Sequence, residues 1–122
     1  MEVNKITEKI IGCAIEVHKH LGPGLLESIY ESALCIEFDA IPIIYERQKS
    51  LPVQYKEHSI GDFRIDLLVE NSVVVELKSV ERHDPLFDAQ ILSYMKLGGY
   101  KIGLLLNFNS RLLKQGIKRF IL

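Results

Sequence analysis

No apolar run in this chain approaches the roughly 18 residues that a membrane-spanning helix requires, and the charged opening MEVNKITEKI has no signal-peptide core. A cytoplasmic protein that does not enter a membrane is therefore expected. Cysteine is scarce: Cys13 and Cys35 both fall within helical patterns, with no second Cys or His pair at metal-ligand spacing, so buried reduced thiols are expected. Low-complexity tracts and internal repeats are absent. So are the Walker loop, the dinucleotide fingerprint and any Ser-His-Asp order. Gly22-Pro23-Gly24 has no strand before it and reads as a turn rather than a phosphate loop. Among the histidines, His18 and His20 point about 200° apart on a helix and do not readily share one metal ion. His58 and His83 have no partner at ligand spacing.

What is present is an ordinary globular composition, 48% hydrophobic and 25% charged in 122 residues. One domain spanning residues 1–122 is expected, large enough to bury about two-thirds of the surface of its unfolded form. Net charge is −1, but it is unevenly spread. Residues 89–122 carry six basic side chains (Lys96, Lys101, Arg111, Lys114, Lys118 and Arg119) and no acid, which leaves −7 for residues 1–88. Two surfaces of opposite sign are one reading, and a solvated basic face without a ligand is the other.

Apolar residues at Val3, Ile6, Ile10, Ala14, Val17 and Leu21 recur at helical steps, and Gly22-Pro23-Gly24 ends that helix. A second helix is predicted from about Leu25 to Asp39, with Leu26, Ile29, Tyr30, Ala33 and Leu34 on one face. After Pro42 the pattern changes to period two, predicting strands at Ile43–Gln48, Leu51–Lys56, Phe63–Glu70 and Val73–Val80. Asp84-Pro85 supplies a helix cap and first residue, and Gly98-Gly99 a stop, around a helix Pro85–Leu97. Lys101–Phe108 (KIGLLLNF) is apolar enough to be buried on both faces. A short helical turn near Arg111–Gln115 and a strand Ile117–Leu122 complete the chain. This order predicts an α/β fold: a mixed central sheet with an antiparallel meander, flanked by helices.

Within this scheme VVVELKSV, residues 73–80, places Glu76 and Lys78 on the same face of a core strand. Asp66 lies on the preceding strand. A two-residue turn at Asn71-Ser72 would pair Glu70 with Val73 and turn Asp66 away from Glu76. A three-residue connection or a bulge would bring Asp66, Glu76 and Lys78 to one face, and that is the expectation. Carboxylates crowded into a sheet need protons, cations or a metal. Oxygen ligands with room for water suit Mg²⁺ or Mn²⁺, which lower the pKa of bound water and neutralise charge on a phosphate oxygen. Lys78 could orient that water or stabilise developing charge. Acid and lysine at this spacing also occur as plain surface ion pairs, but a strand as apolar as VVVELK argues against one.

The string LGPGLLESIYESAL, with Gly24, Glu27 and Tyr30, resembles the GxxExxY proteins of the PD-(D/E)XK nuclease-like superfamily. DLLVENSVVVELKSV, DAQILSYMKL and GLLLNFN extend the resemblance over nearly the whole chain. It implies a restriction-endonuclease-like core, with Asp66, Glu76 and Lys78 as the motif acids and lysine and Glu27 as an additional metal-ligating acid. Gln90 and Tyr94 are similar to the Q-x-x-x-Y helix of RecB-like nucleases, and would contact a substrate phosphate or fix Lys78. Ile65 stands where the superfamily name has proline. The expected protein is a metal-dependent nuclease acting on DNA ahead of RNA, with Mg²⁺ or Mn²⁺ on Asp66, Glu76 and Glu27. Arg111, Lys114, Lys118 and Arg119 would meet the phosphate backbone, and a homodimer or partner domain would strengthen binding. The alternative is a catalytically silent module that keeps the fold for nucleic-acid or protein interaction.

Overall fold

A computed structural model describes residues 1–122. The elements follow as α1 (Val3–Leu21), α2 (Glu27–Asp39), β1 (Tyr45–Tyr55), β2 (His58–Val69), β3 (Val73–Lys78), α3 (Pro85–Gly98), β4 (Ile102–Asn107), a 3₁₀ turn (Leu113–Gly116) and β5 (Ile117–Ile121). The five strands form one sheet in chain order. Only β3 and β4 run parallel, because α3 intervenes and carries the chain back across the sheet.

Two cores sandwich the sheet. On one side α1 and α2 bury Ile6, Ile10, Tyr30, Leu34 and Phe38 against Val73, Val75, Leu77, Leu104 and Leu106. On the other, Ile91 and Met95 of α3 pack on Leu68, Val74 and Leu105. Strands β3 and β4 therefore contribute apolar residues to both faces, as KIGLLLNF and VVV require. Each of these side chains is worth roughly 1.5–3 kcal/mol when fully buried. Helix α3 can come this close because residue 103 is glycine: a Cβ there would stand 2.6 Å from Met95 Sδ. The helix begins as its sequence dictates, with Asp84 Oδ1 accepting from the Leu86 N–H at 2.9 Å and proline in the first turn, and it ends on left-handed Gly99.

The structure corrects several expectations, including the strand predicted at Phe63–Glu70, which begins at His58. The segments Ile43–Gln48 and Leu51–Lys56 are one continuous strand, β1, because pairing with β2 resumes in the same register on either side of Gln48, and Pro52 is tolerated on this edge strand. Helix α2 buries Tyr30, Glu31, Leu34, Cys35 and Phe38, whereas Leu26 and Ile29, assigned to its core face, are exposed. The helix starts at Glu27, two residues later than the pattern suggested. Its start is fixed by Tyr30, whose hydroxyl donates to Gly22 O (2.5 Å) and accepts from the Leu25 N–H (3.1 Å). Stacked on Phe108 at 4.5 Å, this buried ring clamps the Gly22–Leu25 turn. Both cysteines are buried and free.

Candidate active site

The β2–β3 connection is three residues, Glu70-Asn71-Ser72, because Val69 pairs with Val73. Glu70 and Asn71 both take positive φ, and the Ser72 N–H closes on Val69 O at 3.0 Å. The register continues through Leu68↔Val74 to Leu67↔Val75, where the backbone ladder stops. One step further, Asp66 faces Glu76, and the two side chains replace the missing ladder bonds. The Asp66 N–H donates to Glu76 Oε2 at 2.7 Å. The Leu77 N–H donates to Asp66 Oδ2 at 2.8 Å. The odd-length connection expected from the sequence is thus what brings the acids together.

Asp66 also marks a change of face. Ile65 packs in the α3-side core and Leu67 in the α1/α2-side core, although residues two apart on a regular strand share a face. Strand β1 does the same, with Tyr45 packed on one side and Leu51 on the other. Between them lies Gln48, a non-glycine residue at φ 53°. Register is unchanged across it, from Arg47↔Leu67 to Lys49↔Ile65, but Gln48 and Asp66 form no ladder pair. The hairpin turns over at this point.

Glu76 is 7% exposed. Burial first, and then the charge of Asp66, push its carboxyl up from 4.5 to about 8. Burial likewise raises Asp66, opposed mainly by the Leu77 N–H. Without a cation the pair therefore retains a proton near neutral pH. Glu27 opens α2 at the rim of the site. Its carboxyl is raised by burial, with Lys78 opposing and Asp66 and Glu31 reinforcing the shift. Lys78, on the Glu76 face of β3, places its Nζ 4.3 Å from the Phe87 ring centroid, an arrangement that steadies an ammonium without neutralising it. Tyr94 stacks on Phe63 at 4.1 Å. Its hydroxyl is raised by burial and then by the charges of Glu76 and Asp66, so the ring borders the acids. Gln90 is half-buried one turn earlier on α3.

No three His, Cys, Asp or Glu side chains converge into a ready-made metal cage. Asp66 and Glu76 interlock, while Glu27 stands at the rim. This donor set still fits a hard cation of the Mg²⁺ type, which is commonly bound by one or two carboxylates with water and substrate phosphate completing the shell. The observation that favours such an ion is the buried, mutually repelling pair, whose charge no neighbouring cation fully offsets. Asp66 Oδ2 and Glu76 Oε2 are each committed to a strand N–H, and Asp66 Oδ1 lies 3.4 Å from the Gln48 amide.

The basic residues of the C-terminal third do not gather on one surface. Lys118 and Arg119 are consecutive on β5 and project from opposite faces. Lys118 Nζ contacts Asp88 Oδ2 at 2.6 Å, and His83 Nε2 lies 2.8 Å from the other oxygen of that carboxylate. Arg119 reaches α1, donating to Asn4 Oδ1 at 3.0 Å. Lys114 borders an apolar groove with Ile15, Leu112 and Leu113, and Arg111 is exposed nearby in sequence.

Two site residues escaped the sequence reading, Glu31 and Gln48. Glu31, 7% exposed, accepts from Arg47 Nε at 2.7 Å and from Gln48 Nε2 at 2.6 Å. Gln48 Nε2 also lies 3.4 Å from Asp66 Oδ1. The available signal was spacing: Glu31 is one helical turn beyond Glu27, on the same side of α2.

No curated protein and no solved structure matches this chain significantly. A family model described as the PD-(D/E)XK nuclease superfamily matches residues 4–120. A mixed sheet whose hairpin sets Asp66 against Glu76, with Lys78 two residues on, agrees with that match, and the chain belongs to the PD-(D/E)XK nuclease superfamily.

Proposed function

We propose that this protein is a metal-dependent nuclease that hydrolyses phosphodiester bonds, with DNA as its substrate. The observation that carries the reading is the interlocked Asp66–Glu76 pair, buried and charge-frustrated, with the Lys78 ammonium on the same strand face. A buried acid pair is a poor structural device, since two apolar residues would stabilise the sheet better. Its presence in an otherwise apolar strand favours a role in binding a cation. Asp66 and Glu76 would hold Mg²⁺ or Mn²⁺, with Glu27 assisting from the rim, directly or through water. When bound, the ion would polarise a phosphate oxygen and acidify a water.

The chain's own groups supply the rest. Lys78 Nζ, fixed over Phe87, would orient the attacking water and offset charge on the phosphate. Water adds to phosphorus as the bond to one ester oxygen breaks; the attacking water gives up a proton to solvent, and the departing oxygen takes one up. Tyr94 and Gln90 would border the substrate from α3. Because Lys118 and Arg119 face opposite ways and each is engaged within the chain, binding to the nucleic-acid backbone would be weak in a single copy. A dimer or further domain would supply more contacts.

The test is cleavage of single-stranded, duplex and branched DNA and of RNA with Mn²⁺, run beside Lys78→Ala and Glu76→Ala. Loss of activity in both variants supports the site. Activity that persists in them removes it.

A further inference from the structure

Gln48 is out of place in a strand. A left-handed backbone in the interior of β1 favours glycine, yet the residue there carries a long amide side chain. That amide spans two acids on different elements, reaching Glu31 Oε1 on α2 at 2.6 Å and Asp66 Oδ1 on β2 at 3.4 Å. Its orientation is fixed by chemistry, because both neighbours are carboxylates that accept, and only the NH₂ end of an amide donates. Glu31 does not need Gln48 for charge balance, since the Arg47 guanidinium already holds it at 2.7 Å. Arg47 is held in turn by Ser32 Oγ at 2.8 Å. The chain of contacts therefore runs from α2 through Arg47, Glu31 and Gln48 to Asp66, and ends on the Leu77 N–H of β3.

We infer that Gln48 is a positioning residue, which with Glu31 behind it sets the rotation of the Asp66 carboxylate so that its Oδ1 is presented to a divalent cation. The inference rests on the reading of Asp66 and Glu76 as a cation site. Leu77 fixes one oxygen of Asp66 and Gln48 fixes the other, so the carboxylate plane has little freedom left. The left-handed turn at Gln48 interrupts the β1–β2 ladder opposite Asp66, at the point where the amide meets that carboxylate. Loss of a residue that orients a metal ligand commonly weakens metal affinity by about 10- to 100-fold.

The experiment compares wild type with Gln48→Gly, Gln48→Asn and Asp66→Asn, measuring the Mn²⁺ dissociation constant by calorimetry on metal-free protein, melting in EDTA, and kcat and KM on DNA. Glycine suits the left-handed backbone and asparagine tolerates it, but neither amide nor hydrogen can reach Asp66 from there. Both Gln48 variants are expected to melt in EDTA within a few degrees of wild type and to bind Mn²⁺ about 10- to 100-fold more weakly. Their kcat should fall while KM for DNA stays within about twofold. Wild-type Mn²⁺ affinity in both, or an affinity loss matched by collapse of the fold in both, would overturn the positioning role. If Asp66→Asn loses Mn²⁺ and the Gln48 variants do not, the cation site stands and only this role fails. If Asp66→Asn also binds as wild type, the cation site fails and the role with it.

Discussion

Replacing Glu76 by glutamine should make the metal-free protein more stable in alkali while destroying its response to metal. In the unfolded chain the Glu76 carboxyl ionises near 4.5, and in the folded protein near 8. Between those values the folded state holds a proton that the unfolded state has released, so stability must fall as pH rises through the window. The slope is at most one proton, about 1.4 kcal/mol per pH unit, and it flattens above about pH 8. A displacement from 4.5 to about 8 amounts to roughly 5 kcal/mol of lost stability in alkali. About 3 kcal/mol of that is already expressed at pH 7. Both are ceilings, since Asp66 shares the proton. Glutamine keeps an oxygen to accept the Asp66 N–H and adds an N–H₂ that can donate to the Asp66 carboxylate, so the geometry survives without the charge. Urea melts of both proteins in EDTA from pH 5 to 9 should coincide near pH 5 and diverge above it, with Glu76→Gln more stable by about 2–4 kcal/mol at pH 8.5. The difference cancels titration elsewhere in the chain. Parallel curves, or a variant less stable at every pH, would refute the claim that burial and Asp66 strain this carboxyl.

Metal should reverse that strain. Millimolar Mn²⁺ at pH 8 is expected to raise the melting temperature of wild type, by an amount that reaches about 2.7 kcal/mol at a hundredfold excess over Kd, and to leave Asp66→Ala and Glu76→Ala unmoved in a thermal scan. Tyr30→Phe removes both hydrogen bonds that close the Gly22–Leu25 turn. It should cost about 1–3 kcal/mol in a denaturant melt and lower activity by letting the Glu27 end of α2 drift. Lys78→Ala should lower kcat by about a hundredfold or more, with little change in urea midpoint, because the ammonium rests on Phe87 rather than in an ion pair. Arg111→Ala with Lys114→Ala should weaken DNA binding evenly across sequences and reduce the salt dependence by about one unit of slope per lost phosphate contact. An unchanged salt slope would remove those residues from the interface.

The order of elements was legible because the signals are local. Period-two patterning gave β3, the continuous apolar run KIGLLLNF gave β4, Asp84-Pro85 and Gly98-Gly99 bracketed α3, and glycines closed α1. The Asp66–Glu76 pairing was legible too, since hairpin arithmetic ties loop length to register, and an odd loop or a bulge was needed to align the acids; the structure has the odd loop. The continuity of β1 was hidden because the left-handed turn at Gln48 disrupts the apparent alternation without ending the strand. The core face of α2 was misread at Leu26 and Ile29, where apolar residues face solvent and the buried positions include an acid. Lys118 and Arg119 stand on opposite faces of β5, since neighbours on a strand point apart.

What the sequence by itself determined is therefore the helices, the strands from β3 onward and their order, and, from spacing along one hairpin, the three groups Asp66, Glu76 and Lys78. Only the tertiary structure decided that Glu31, Arg47 and Gln48 stand behind Asp66. Those contacts join α2 to β1 and β2 across segments distant in the chain, and their existence depends on how the first core packs rather than on any local periodicity. The same packing buries Glu76 deeply enough to hold its proton to about pH 8, a property that arises from desolvation and that no residue has until the sheet is assembled.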